Sequence, residues 1–156
     1  MEIPSFITLS KQNKKILTSD FLSGYPNEVC GLLIGCVVKV KTHEKLSFFK
    51  IKNIWKCENI WKKEKDFDAT YSLTKRNRFL IKPEDHISAQ KWSRENNLKI
   101  LGTYHSHPFS HPIPSQIDIR SVYEYQLTII CSQNNEIKAW WIANESANEL
   151  KINYHQ

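Results

Sequence analysis

His105 and His107 stand one serine apart, Pro108 follows directly, and Ser115 and Asp118 come shortly after. This is the pattern in the chain best suited to chemistry. Ten residues separate His107 from Asp118. Two imidazole nitrogens and a carboxylate oxygen suit Zn²⁺, and three protein ligands leave a fourth tetrahedral position for water. A zinc held that way acidifies its water toward neutral pH, which serves hydrolysis. On a strand the two histidines share parity, so both rings point to one face and Ser106 to the other. Prolines 108, 112 and 114 stiffen the loop that must return to them. Ser115 is a good helix N-cap, and Asp118 lies one turn on, so the two share a face.

Hydrolysis of this kind also needs a base that takes a proton and passes it to the leaving amine. No HExxH run supplies one. Glu28 is the candidate, at the entrance to the apolar run Val29–Ile34, where burial raises a carboxyl pKa. Its plainer reading is a surface carboxylate at a helix end. Glu58, Glu64, Glu84, Glu95 and Glu124 compete equally on chemistry alone. His111 reads as a solvated loop histidine, because a fourth protein ligand would close the site to water.

The elements that must position these groups follow from periodicity. Residues 11–24 carry apolar side chains at helical spacing, and Gly24 with Tyr25-Pro26 ends that helix. Val29–Gly35 reads as a buried strand, with further strands over 37–41 and 46–55 and a turn between them. Residues 56–70 read as a loop, and Arg78–Ile81 as a short strand. Pro83-Glu84-Asp85 opens a helix reaching about Asn97. Ile100–Tyr104 is a strand leading into the two histidines. Ser115 caps a helix holding Asp118 and Val122, and strands over 126–131 and 137–142 close the domain. The mixture predicts an α/β (α+β) domain, a central mixed sheet flanked by helices.

The bounds agree. A chain of 156 residues with 40% hydrophobic residues is expected to form one domain over 1–156. The net charge of +6 is mostly lysine mixed with acids, and no nucleic-acid-reading motif accompanies it, so a solvated basic surface is expected and nucleic acid is not. Cys30, Cys36, Cys57 and Cys131 form no C-x-x-C pair and read as free thiols. No stretch has the length of a membrane span and no secretory signal is evident, so the expected location is the cytoplasm.

Glu28-Val29-Cys30-Gly31-Leu32-Leu33-Ile34-Gly35, Gly102-Thr103-Tyr104-His105-Ser106-His107-Pro108 and Pro114-Ser115-Gln116-Ile117-Asp118 together resemble the JAMM (MPN+, Mov34/PAD-1) zinc metallopeptidase family, in its short prokaryotic form. The resemblance runs from about Glu28 to Trp141. It implies the JAB/MPN sandwich, related to the cytidine-deaminase-like fold. It implies that His105, His107 and Asp118 bind one Zn²⁺, that Glu28 is general base and acid, and that Ser115 stabilises the oxyanion. It further implies a ubiquitin-like or sulfur-carrier partner ending in Gly-Gly, from which a C-terminal Cys or short extension is released. An isopeptidase on protein conjugates, a cell-wall or phage-type peptidase and a non-catalytic MPN binding module are the alternatives. A nucleoside deaminase would need H-x-E and P-C-x-x-C, which are absent. Residues 56–77 are a candidate substrate flap or an ordinary surface loop.

Overall fold

The computed structural model describes residues 3–43, 45–62 and 73–156. Its elements are β1 (Phe6–Ser10), α1 (Lys11–Gly24), β2 (Cys30–Lys39), β3 (Ser47–Cys57), α2 (Pro83–Glu95), β4 (Lys99–His107), α3 (Gln116–Arg120), β5 (Tyr125–Ser132), β6 (Ile137–Ala143) and β7 (Ser146–His155). The sheet is mixed and flanked by helices, and it closes on itself in the order β1-β3-β2-β4-β5-β6-β7. Closure comes from β1, which runs parallel to β3 on one side and to β7 on the other. The sequence reading missed both β1 and β7. β1 has five residues, and β7 buries only Leu150.

β2 is covered on both faces, which is why it reads as a continuous apolar run rather than an alternation. Leu33 enters the larger core with Leu17, Phe49, Tyr104, Leu127 and Trp141. Leu32 and Ile34 enter a second core against Ala89 of α2, where Trp55 and Trp92 pack with ring centroids 5.7 Å apart. The strands expected over 29–35 and 37–41 are one strand. Irregular pairing at Leu33–Gly35 shifts its register against both neighbours without ending it. Gly31 lets β2 lie close to β4, because a Cβ there would overlap the Tyr104 ring and the Trp55 carbonyl.

α1 starts where the Ser10 hydroxyl accepts from the Asn13 N–H at 3.0 Å. It buries Asn13, Leu17 and Phe21 at intervals of four and ends at Gly24. Tyr104 on β4 donates its hydroxyl to Asp20 of α1 at 2.6 Å, tying the helix to the strand that carries the histidines. α2 has Pro83 in its first turn with Glu84 and Asp85, as the sequence implies, and ends at Glu95. Its Asp85 carboxylate accepts from the Glu58 N–H at 2.7 Å, fixing the helix start to the chain leaving β3. The expected strand over 78–81 is only a single bridge between Asn59 and Ile81. Among the described residues, no helix is long and apolar enough to cross a membrane.

Candidate metal centre and its cleft

β4 carries His105 and His107 to its end with both rings on one face, as their parity requires. Ser106 turns the other way, fully buried. Its hydroxyl accepts from the Val29 N–H at 2.8 Å, and its own N–H donates to the Val29 carbonyl at 3.1 Å. The serine between the two histidines thus fastens the residue next to Glu28. The loop after His107 is held by two side chains with no motif of their own. Gln133 donates to the Pro108 carbonyl at 2.7 Å, and the Trp140 indole to the Pro112 carbonyl at 2.8 Å. α3 then opens with a capping box. Ser115 Oγ accepts from the Asp118 N–H at 3.1 Å, and Asp118 Oδ2 accepts from the Ser115 N–H at 2.7 Å.

These anchors bring three buried donor atoms together. His105 Nε2 lies 3.0 Å from His107 Nε2, and Asp118 Oδ2 lies 3.3 Å from His107 Nε2 and 3.4 Å from His105 Nε2. Ligands about 2.0–2.1 Å from a tetrahedral zinc stand roughly 3.3–3.4 Å apart; the two edges to Asp118 match this, and the edge between the histidines is shorter. The tautomer of His107 also fits. Its Nδ1 lies 2.9 Å from the His111 carbonyl, which only accepts, so Nδ1 carries the proton and Nε2 presents a lone pair. His111 contributes this carbonyl, while its residue is exposed and outside the donor cluster, as expected. His105 stacks on Phe79 with centroids 4.7 Å apart, and its Nδ1 has no hydrogen-bond partner among the described residues.

Electrostatics favour ligation at His105 and Asp118, whereas at His107 a metal must displace a proton. Burial pushes His105 below its usual range, so it stays neutral. Burial acts on His107 in the same direction, but hydrogen bonds to Asp118 and the His111 carbonyl outweigh it and raise its pKa. Burial also opposes ionisation of Asp118, yet the two histidines and the Ser115 N–H hold it well below the usual carboxylate range. It remains an anion available to a cation.

Glu28 is buried, and it lines a cleft of about 530 Å³ together with His107, Thr74, Arg76, Asn77, Pro108, Phe109 and Ser110. Burial raises its pKa from 4.5 to about 8. The Asp118 charge adds to this, and the charges of His107 and Arg78 oppose it. Its backbone is clamped on both sides. The Glu28 N–H donates to the Lys75 carbonyl at 2.7 Å, and its carbonyl accepts from Asn59 Nδ2 at 3.0 Å. Sequence reasoning missed Asn59. The same amide donates to the Arg78 carbonyl at 3.1 Å, and its oxygen accepts from the N–H groups of Leu80 and Trp61 at 3.0 and 3.1 Å. One side chain therefore joins the Glu28 turn to the segment that lays Phe79 on His105. Of the candidate flap over 56–77, residues 63–72 lie outside the described residues, and Thr74, Arg76 and Asn77 form a wall of the cleft. Cys30 and Cys131 are buried free thiols, and Cys36 and Cys57 are half-buried free thiols.

A mixed sheet with a His-x-His pair at the end of β4 and a capped Asp118 returning to it defines the JAB/MPN class. The family described as prokaryotic homologs of the JAB domain matches residues 13–143, and the chain belongs to it. The chain is 30% identical over 76 residues to desampylase of Pyrococcus furiosus, a match covering 47% of this chain and 54% of that relative. It thus spans about half the length of this curated relative. The solution structure of protein DSY2949 from Desulfitobacterium hafniense superposes with a TM-score of 0.74 at 23% identity, covering 96% of this chain and 93% of the other. A JAB1/MPN domain protein from Archaeoglobus fulgidus, AF2198, superposes with a TM-score of 0.51 at 16% identity, covering 97% and 99%. At these identities the two structures speak for the fold alone.

Proposed function

We propose that this chain is a cytoplasmic zinc metallopeptidase that hydrolyses the bond after the C-terminal Gly-Gly of a ubiquitin-like or sulfur-carrier protein. One observation carries the reading. Three buried donors form a compact triangle, and one of them, His107, lines the same cleft as the buried Glu28 carboxyl group. A zinc held by His105, His107 and Asp118 would supply a Lewis acid and a water acidified toward neutral pH.

The chain's own residues do the rest. Glu28 takes a proton on its carboxylate and gives it to the nitrogen of the leaving amine. A carboxyl group raised toward neutrality serves both halves of that transfer. Ser115 Oγ uses its acceptor side for the Asp118 N–H, which leaves its O–H free to donate to the developing oxyanion. The cleft, about 530 Å³ in volume, has room for an extended tail. The desampylase likeness supports a ubiquitin-like partner, and it also supports the second reading, an isopeptidase on protein conjugates. A non-catalytic binding module has no need of an intact donor triangle.

Intact-mass spectrometry tests the proposal. The zinc-loaded protein and its Glu28→Gln variant are incubated with a ubiquitin-fold carrier extended by Cys after Gly-Gly, and with a carrier joined to a lysine by an isopeptide bond. Loss of the group after Gly-Gly with the unsubstituted protein alone is the expected result. Equal loss with Glu28→Gln, or no cleavage of either substrate with zinc bound, would overturn it.

A further inference from the structure

The cleft has two unlike walls. One carries Phe109, 57% exposed, with Pro108 and Ser110. The other is the turn Thr74–Asn77, which carries Arg76 into the cleft. That turn is tightly built. Thr74 Oγ1 accepts from the Arg76 N–H at 3.1 Å, the Thr74 N–H donates to Asn77 Oδ1 at 2.8 Å, and the Asn77 N–H donates to the Thr74 carbonyl at 3.1 Å. The carbonyl of Lys75, next in the chain to Arg76, accepts from the N–H of Glu28 itself. The backbone at Arg76 is therefore held at a fixed offset from Glu28, and both residues line the cleft.

The guanidinium of Arg76 makes no hydrogen bond or ion pair with any described residue. Among the described residues lining the cleft, Glu28 is the only acid. Arg76 is the only Lys or Arg among the described residues lining the cleft, so its wall is where an anionic substrate group is accommodated. Lys75 and Arg78 flank it, and the charge of Arg78 is felt at both Glu28 and His105. A guanidinium fork matches a carboxylate in shape as well as charge.

We propose that Arg76 is a carboxylate-binding subsite, and that it takes the free α-carboxylate of the residue released after Gly-Gly. The inference rests on the peptidase reading above and decides between its two forms. In a one-residue C-terminal extension the leaving residue carries its carboxylate two bonds from the scissile nitrogen. The leaving nitrogen of a lysine isopeptide carries none nearby. Arg76 thus selects a one-residue linear extension over an isopeptide conjugate.

Binding tests this apart from turnover. A ubiquitin-fold carrier ending Gly-Gly-Ala is prepared as the free acid and as the C-terminal amide. Its Kd is measured by fluorescence anisotropy with zinc-loaded Glu28→Gln protein, which leaves the complex uncut. The acid should bind about tenfold more tightly than the amide, as a charge-assisted hydrogen bond implies. Adding Arg76→Ala should bring the ratio close to one, and Arg76→Lys should restore part of it. A ratio near one with Arg76 present, or one that Arg76→Ala leaves unchanged, overturns the proposal. Loss of affinity for acid and amide alike also overturns it, since Arg76 would then be meeting an acidic group of the carrier body. If the unsubstituted enzyme cleaves neither substrate, the peptidase reading fails, while the Kd ratio still decides the subsite.

Discussion

Replacing Glu28 by Gln should make the metal-free protein more stable, and increasingly so as pH rises. Burial raises this carboxyl from 4.5 to about 8, so the folded state holds a proton that the unfolded chain releases. For a raised acid the sign is fixed. Stability is fully present below about pH 4.5, declines as pH rises and levels off above about 8. At about 1.4 kcal/mol per pH unit, ionised Glu28 costs the fold on the order of 5 kcal/mol above pH 8, and about 3 kcal/mol at pH 7. Gln has nearly the same shape and does not titrate. For a chain of this length, about 1 kcal/mol moves Tm by roughly 2–4 °C. Thermal unfolding of chelator-treated protein should therefore give similar Tm values at pH 4.5 and a Glu28→Gln advantage on the order of 10–20 °C at pH 9. Zinc should narrow that gap, because a nearby cation favours the carboxylate. Parallel Tm curves for the two proteins from pH 4.5 to 9 would refute the reasoning, and Glu28 would not be buried as described.

Other outcomes follow from the same geometry. His107→Ala removes one corner of the donor triangle and should reduce zinc from about one per chain to near none by elemental analysis; full retention would remove His107 from the ligand set. Ser115→Ala removes an N-cap worth about 1 kcal/mol and a proposed oxyanion donor worth about 10²-fold in kcat. A lowered Tm with undiminished kcat would leave Ser115 a cap alone. Asn59→Ala strands the carbonyls of Glu28 and Arg78 and the N–H groups of Leu80 and Trp61. It should cost about 1–3 kcal/mol in urea unfolding and lower turnover while zinc content holds. Unchanged unfolding and turnover would show the clasp to be dispensable.

Much of the candidate metal site was legible because ligand chemistry constrains residue type and spacing together. His105, His107 and Asp118 could be read from strand parity and helix capping. Glu28 could not, because 76 residues separate it from His105 and only the family resemblance joined them. Asn59 left no signal at all. Its partners are backbone groups, which any sequence supplies. The same limit applies to Gln133 and Trp140, which hold the proline loop by its carbonyls. For the fold, strands with a buried face announced themselves. β7, whose residues are mostly exposed or half-buried, did not, and without it the closing of the sheet through β1 was invisible.

X-ray absorption at the zinc edge of the loaded protein tests the central claim most directly. Two imidazole nitrogens and one carboxylate oxygen should appear at about 2.0–2.1 Å, with a fourth light-atom ligand and no sulfur. A sulfur shell near about 2.3 Å would point to a cysteine ligand, and four imidazole or carboxylate ligands to a closed structural site. Either result would contradict an open metal centre built by His105, His107 and Asp118.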